Sequence, residues 1–203
     1  MNLNNHSSMN MTMNSPVPYN NNEYNMYSNI YTNGVHDILN LRGNANEIIC
    51  GLWLGDYVSA MDVNFQKKYN ISVIINCSKD IPFVDNKEIL YKYRIPVSDN
   101  LQQVEIYNMA GYIKEIIPII HEHLSKGHNI LVHCMAGMQR SAIVVLAYLY
   151  AYYFNNIPCQ DNTCTPVFRI NHCIKYLKSK RSVVFFPKMN FKWSICKVFN
   201  INF

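Results

Sequence analysis

The chain has 203 residues, a net charge of +5 at pH 7 and a hydrophobic fraction of 49%, which suits one compact domain and is short for two. It contains no apolar run of about 18 residues and no charged N-terminal stretch followed by an apolar one, so we predict neither a membrane-spanning helix nor a secretory signal. Its seven cysteines are irregularly spaced, which favours a reducing compartment, the cytoplasm, over a disulfide framework.

The chain divides into two regions by composition. Residues 1–44 are rich in Asn, Met, Ser and Tyr and have few aliphatic residues at any period. Such a segment buries too little apolar surface to offset the entropy of ordering, so we predict a flexible tail. Residues 45–203 are predicted to form the folded domain.

Hydrophobic periodicity predicts alternating strands and helices across the folded domain. The predicted strands cover residues 47–54 (one or two strands), 71–77, 90–97 and 130–133. The predicted helices cover residues 56–69, with Asp56 as N-cap, and residues 104–124, 141–154, 164–180 and 188–199. This alternation predicts an α/β fold, a single domain with a central, mainly parallel twisted sheet flanked by helices. Ligands bind such sheets at the carboxyl ends of the strands.

The most informative motif is the run 132–141, Val-His-Cys-Met-Ala-Gly-Met-Gln-Arg-Ser, which joins a predicted strand to a predicted helix. A loop at a helix N-terminus presents backbone N–H groups and partial positive charge to an anion. The same position and a nearby arginine favour the thiolate of Cys134. Arg140 has a planar fork that binds two phosphate oxygens, and Gly137 permits a tight bend. The motif therefore predicts a phosphoryl-transfer site with a thiolate nucleophile.

The motif resembles the active-site loop of the cysteine-dependent protein tyrosine phosphatases, and its ending is most similar to the dual-specificity branch. Further blocks resemble that family in the same order along the chain, so the similarity covers roughly residues 46–200. These blocks are residues 51–55 (GLWLG), 71–76 (ISVIIN), 94–99 (RIPVSD) and the closing stretch 181–191. The length leaves no room for a rhodanese-like docking domain, so the chain resembles the small stand-alone members, including those of large DNA viruses. A viral member would act in the host cell or the virion.

The resemblance implies hydrolysis of phosphotyrosine and phosphoserine or phosphothreonine in proteins through a phosphocysteine. It assigns Cys134 as nucleophile, Arg140 as phosphate clamp and Asp99 as general acid and base. Asp80 and Asp85, on another loop, are alternatives for the acid.

The remaining residues of the motif have supporting roles in this interpretation. Ser141 donates a hydrogen bond to the sulfur and helps it leave, and His133 orders the loop without acting as a base. The expected phosphate-binding residues are Met135, Ala136, Gly137, Met138, Gln139 and Arg140. No metal or cofactor is expected, and no oligomeric state is predicted.

Three alternative functions are each disfavoured by particular residues. Phosphoinositide phosphatases tend to carry lysines where this chain has Met135 and Met138. RNA triphosphatases of the superfamily carry His and Asn where it has Ala136 and Gln139, so both are disfavoured and no nucleic-acid partner is expected. A phosphoprotein-binding pseudophosphatase usually lacks the nucleophile, the arginine or the acid, all of which are present here. The expected partners are phosphorylated proteins.

Several features depart from the family or remain open. Residues 155–163 form an apparent surface insertion, and Gln139 replaces a serine found in many relatives. Cys77 ends a predicted core strand and is either a buried packing thiol or a disulfide partner of Cys134.

Cys159, Cys164, His172 and Cys173 suggest zinc only weakly because they lack a Cys-x-x-Cys pair. The positive charge is concentrated late in the chain, where it indicates a solvated helical face or attraction of acidic substrates; these residues are Lys175, Lys178, Lys180, Arg181, Lys188, Lys192 and Lys197.

Overall fold

The computed structural model describes residues 44–155 and 165–203. Within these ranges the strands form one five-stranded sheet in the order β1-β2-β5-β3-β4. The strands are β1 (Ala45–Ile49), β2 (Leu52–Gly55), β3 (Ile71–Asn76), β4 (Tyr91–Arg94) and β5 (Asn129–His133). β1 pairs with β2 in antiparallel orientation, and β2 with β5, β5 with β3 and β3 with β4 are parallel pairs. The predicted α/β fold with a mainly parallel sheet is confirmed.

The helices cover both faces of this sheet. They are α1 (Tyr57–Met61), α2 (Val63–Lys68), α3 (Gln103–Ser125), α4 (Arg140–Tyr148), α5 (Pro166–Lys180) and α6 (Lys192–Phe199). A π-helical segment, Leu149–Tyr153, continues α4. None of the helices in the two described ranges is both long and apolar enough to cross a membrane.

The single helix predicted over residues 56–69 is wrong, because the structure has two helices there, α1 and α2. Asp56 is the N-cap of α1, as predicted, and its carboxylate accepts a hydrogen bond from the Ser59 N–H at 3.0 Å. Asp62 then adopts extended backbone angles and accepts hydrogen bonds from the N–H groups of Asn64 and Phe65. An aspartate that caps a new helix in this way ends the preceding one.

Other boundaries differ at the ends of elements. The strand predicted over residues 90–97 is limited to β4, and the helix predicted over 188–199 begins at Lys192, after a loop. Thr165 caps α5 through a hydrogen bond from the Phe168 N–H to its hydroxyl. Residues 1–43 of the predicted tail and residues 156–163 of the predicted insertion lie outside the described residues, and so do Cys159 and Cys164.

The core is built on the two central strands and α4. Side chains of β3 and β5 alternate between the two faces, as the period of a strand requires. Val73, Ile75, Ile130 and Val132 lie in the larger apolar cluster, to which α4 contributes residues 142–148. The opposite face packs against α1 and α2 around the aromatic ring of Trp53. The amino-terminal end of α4 is therefore held at the carboxyl ends of the parallel strands.

Candidate active site

The loop 134–139 connects β5 to α4 and forms the centre of the site. Cys134 follows directly after β5, the middle strand of the sheet, and is 2% exposed. Arg140 and Ser141 are the first two residues of α4 and are also buried. Because both the strand and the helix are buried, the short loop between them is held firmly at its two ends.

The four carbonyl groups of residues 135–138 all accept hydrogen bonds from outside the loop. In chain order their donors are the N–H of Tyr57 (3.1 Å), Nη2 and Nε of Arg181 (3.3 and 2.9 Å) and the N–H of Phe185 (2.9 Å). The C=O and N–H of a trans peptide point in opposite directions. The N–H groups of the same peptides therefore face away from these donors, and such an array of N–H groups binds anions.

Gly137 is required by the geometry of this loop. Its φ is +64°, a left-handed conformation that L side chains rarely adopt. A Cβ at this position would lie 2.5 Å from the carbonyl oxygen of Gly55 and 2.9 Å from Nη2 of Arg181. Any side chain would therefore displace the loop from β2 and from its supporting arginine.

Cys134 lies in surroundings that stabilise its thiolate. Burial alone would raise its pKa, but the guanidinium of Arg140 and hydrogen bonds from Ser141 outweigh burial, so the pKa of Cys134 is lowered from its ordinary value. The Ser141 hydroxyl donates to the Cys134 Sγ at 3.2 Å. A lowered pKa makes the thiol a better nucleophile at neutral pH because the thiolate is the reactive form.

Arg140 lies between the nucleophile and the acid predicted from the sequence. Its Nη1 donates to the Val97 carbonyl oxygen at 3.1 Å, and its Nε lies 3.6 Å from Oδ2 of Asp99. The Asp99 side chain is 7% exposed, and its Oδ1 accepts a hydrogen bond from Nδ2 of Asn190 at 3.1 Å. The structure thus brings Asp99, Arg140 and Cys134 together.

The alternative acids lie elsewhere. Asp80 and Asp85 are exposed on the loop between β3 and β4. Asp80 has its electrostatic partner in Arg94: burial lowers the pKa of Arg94, and the charge of Asp80 partly opposes that effect. The geometry therefore favours Asp99 over both.

His133 supports the loop from the last residue of β5. Its side chain is 1% exposed, and its carbonyl oxygen accepts a hydrogen bond from the Cys77 N–H at 2.7 Å. Burial, together with the nearby Arg94 and Arg140 charges, lowers its pKa to about 3. An imidazole with so low a pKa is neutral near pH 7 and is a weak base, which fits an ordering role.

Arg181 is a residue whose place the sequence interpretation missed. It was grouped with the basic residues of a solvated face, but its side chain is 2% exposed and its Nη1 donates to Asn46 Oδ1 at 2.8 Å. It joins the start of β1 to the phosphate loop. The signal in the sequence was its residue type. Unlike the neighbouring lysines, an arginine has a planar guanidinium group that can donate to several acceptors at once. Five of the lysines are exposed as expected: Lys175, Lys178, Lys180, Lys188 and Lys197.

Cys77 lies next to the nucleophile in the sheet. Asn76 and His133 are register partners of β3 and β5, so Cys77 and Cys134 are the next residues on two adjacent parallel strands. Cys77 is fully buried, and its pKa is raised by burial and by the neighbouring Cys134. Both thiols are free.

We expect mild peroxide to produce a reversible disulfide between Cys77 and Cys134. A thiolate oxidises first to a sulfenic acid, and an adjacent thiol condenses with it before further oxidation. Peptide mapping before and after reduction checks this, with Cys77→Ala as the control that is expected to oxidise irreversibly. Irreversible oxidation of Cys134 in the wild type, with Cys77 unmodified, would contradict the expectation.

Residues 44–155 and 165–203 include two of the four residues that weakly suggested zinc, His172 and Cys173. In these ranges no group of three or more His, Cys, Asp or Glu side chains is placed to hold a metal ion. Of the four residues considered for zinc, Cys159 and Cys164 lie outside the described residues.

The chain is similar to a known protein family and to several known proteins. The family described as "Dual specificity phosphatase, catalytic domain" matches residues 52–201. Dual specificity protein phosphatase Mpk3 of Drosophila melanogaster is 39% identical over 106 residues, which are 51% of this chain and 25% of that protein. Dual specificity protein phosphatase 22 of Xenopus laevis is 37% identical over 105 residues, 51% of this chain and 47% of that protein. The matches thus span between a quarter and a half of these relatives' own length.

Solved structures share the fold of this chain. The crystal structure of human DUSP28 superposes with a TM-score of 0.62 at 18% identity, covering 77% of this chain and 93% of that one.

Proposed function

Since the chain belongs to the family of dual specificity phosphatase catalytic domains, we propose that it hydrolyses phosphotyrosine and phosphoserine or phosphothreonine in proteins. The observation that carries this proposal is the assembly of Cys134, Arg140, Ser141 and Asp99 at the carboxyl end of β5. The proposed substrates are phosphorylated proteins. The five described cysteines are all free, which supports a reducing compartment such as the cytoplasm.

The first step transfers the phosphoryl group to sulfur. The Cys134 thiolate attacks phosphorus, the bond from phosphorus to the leaving oxygen breaks, and Asp99 gives that oxygen a proton. The N–H groups of the loop and the guanidinium of Arg140 stabilise the charge on the three equatorial oxygens.

The second step hydrolyses the phosphocysteine. Asp99, now a carboxylate, takes a proton from a water molecule as the water oxygen attacks phosphorus. The bond between sulfur and phosphorus breaks, and inorganic phosphate leaves. The Ser141 hydroxyl, 3.2 Å from the sulfur, stabilises the thiolate that departs.

The alternatives make different predictions for the same assay. A phosphoprotein-binding pseudophosphatase would bind phosphopeptides without turnover, but the complete set of reacting groups supports turnover. Phosphoinositides and RNA 5′-phosphates are the other substrates to compare with phosphotyrosine and phosphothreonine peptides. Fastest hydrolysis of either non-protein substrate would contradict the proposed function.

We expect Asp99→Asn to lower turnover most for substrates with poor leaving groups. An alkoxide from phosphothreonine needs a proton far more than the phenolate of an activated aryl phosphate does. General acid catalysis contributes about 10²–10⁴-fold, so phosphothreonine peptides are expected to lose a rate factor in the upper part of that range. The alkaline decline in rate that a general acid causes should also flatten. The measurement is kcat/KM for both substrates across a range of pH, because this ratio reports the transfer to sulfur and leaves out the hydrolysis of the phosphocysteine, which is common to both substrates.

The control for this prediction uses the two exposed aspartates. Asp80→Asn and Asp85→Asn are expected to retain the wild-type ratio of the two rates, since both side chains are exposed on another loop. Equal losses for both substrates in Asp99→Asn, or a larger loss in either control variant, would show that the acid is misassigned.

A further inference from the structure

The side chain of Gln139 is buried and binds the loop that precedes α6. Its Nε2 donates to the carbonyl oxygens of Phe186 (3.0 Å) and Lys188 (2.9 Å). Its Oε1 accepts a hydrogen bond from the backbone N–H of Asn190 at 3.0 Å. One amide therefore joins three backbone groups of residues 186–190 to the residue immediately before Arg140.

The same loop reaches Asp99. The Asn190 side chain donates from Nδ2 to Oδ1 of Asp99, while Oδ2 of Asp99 lies 3.6 Å from Nε of Arg140. Gln139 holds the backbone of Asn190, and Asn190 holds the carboxylate. The carboxylate is thus contacted on one side by Arg140, in α4, and on the other by Asn190, whose backbone is held by Gln139.

A second connection ties this loop to the phosphate loop. Phe185 is buried and donates its N–H to the Met138 carbonyl oxygen at 2.9 Å. Its φ is +61°, which is unfavourable for a bulky side chain and persists only where the surroundings impose it. Backbone contacts at Met138 and side-chain contacts at Gln139 therefore place residues 185–190 as one unit.

We infer that Gln139 is a positioning residue for the general acid, acting through residues 186–190 and Asn190; this inference rests on the proposed function. A glutamine amide has two N–H donors and an acceptor, and all three functions are used here. The serine that many relatives carry at this position has one O–H donor and cannot span both carbonyl oxygens. In this chain the acid is therefore held by the phosphate loop itself.

The variant that tests this inference is Gln139→Glu, which has nearly the same shape. The new carboxylate keeps an acceptor for the Asn190 N–H but faces the carbonyl oxygens of Phe186 and Lys188 without a proton to donate. We expect kcat/KM for a phosphothreonine peptide to fall about tenfold or more, part of the range that general acid catalysis supplies. For an aryl phosphate with an acidic phenol, the fall should be smaller by a factor of about three or more, because little protonation is needed and any effect of the new carboxylate on phosphate binding is common to both substrates.

The double variant with Asp99→Asn separates this role from a structural one. If Gln139 acts through the acid, adding Gln139→Glu to Asp99→Asn should change the ratio of the phosphothreonine rate to the aryl phosphate rate by less than about twofold. The inference is overturned if Gln139→Glu slows both substrates equally. It is also overturned if the two substitutions act independently in the double variant.

Gln66 provides a matched control. It is also a buried glutamine, but it lies in α2, on the face of the sheet opposite α4. Its amide donates to the Ala60 carbonyl oxygen and accepts a hydrogen bond from Asn86. Gln66→Glu is expected to keep the wild-type ratio of the two substrate rates even where it lowers the thermal unfolding midpoint. A changed ratio in this control would overturn the inference, because the ratio would then report destabilisation.

The test also distinguishes the two levels of the proposal. If Gln139→Glu fails to fold, Gln139→Met, which is uncharged and lacks the amide, replaces it in the same comparison with the same expected outcomes. A wild-type enzyme that hydrolyses neither substrate rejects the proposed function and the inference together. If Asp99→Asn changes the ratio of the two substrate rates as expected but substitution of Gln139 does not change it, the inference is rejected and the proposed function stands.

Discussion

Replacing Cys134 with serine is expected to abolish turnover while phosphopeptide binding is retained. The thiolate is stabilised by Arg140 and Ser141, whereas a serine hydroxyl stays un-ionised at neutral pH. The N–H array of the loop depends on hydrogen bonds from Tyr57, Arg181 and Phe185, none of which uses the sulfur. We expect kcat to fall by about 10⁴-fold or more, the scale that follows loss of a nucleophile.

Binding and turnover of Cys134→Ser are measured separately, by calorimetry with a phosphopeptide and by phosphate release. Cys173→Ser is a suitable control because Cys173 is another buried thiol, on α5, whose pKa burial raises to about 12. That variant is expected to keep near wild-type kcat. Turnover close to that of the wild type in Cys134→Ser would remove Cys134 from the mechanism.

Arg140→Lys is expected to be nearly as damaging as Arg140→Ala. Lysine keeps the positive charge but lacks the planar guanidinium group. Here that group donates a hydrogen bond to the Val97 carbonyl oxygen, lies next to Asp99 and is proposed to bind phosphate at the same time. Loss of a donor that stabilises the transition state costs about 10²–10³-fold in kcat, so both variants should lose at least that factor.

The comparison requires kcat and KM for Arg140→Lys, Arg140→Ala and a matched control. Arg169→Lys is appropriate because Arg169 lies on α5, where it donates to Asn155 Oδ1. It is expected to retain the wild-type kinetics. If Arg140→Lys kept most of the activity, positive charge alone would be sufficient, and the argument from the geometry of the fork would be wrong.

Periodicity predicted the fold well because the central elements are uniform. β3, β5 and α4 are nearly all apolar, so the sequence pattern indicates both their type and their burial. The prediction failed where a polar side chain ends an element. Asp62 divides one predicted helix into two, because a capping aspartate competes with helix continuation and has little effect on hydrophobic spacing.

The core of the site was also predictable, since Cys134, Arg140 and Ser141 occupy one strand–loop–helix connection. Arg181 and Gln139 acquire their roles from distant parts of the chain, through contacts such as Arg181 to Gly137 and Gln139 to Asn190. Their partners are mostly backbone groups, which any residue type provides. No local pattern in the sequence marks such contacts.

The opposite directions of α4 and α5 determine where this domain can be modified without effect on its chemistry. α4 and its π-helical extension lead away from the phosphate loop, and α5 leads back toward it, ending next to Arg181. At 1.5 Å per residue each path is roughly 20 Å long, so Asn155 and Thr165 lie about that far from the loop. A fluorescent label or a surface linkage attached at Asn155 would leave the catalytic face open to solution. The domain could then be immobilised in a defined orientation for single-molecule measurements.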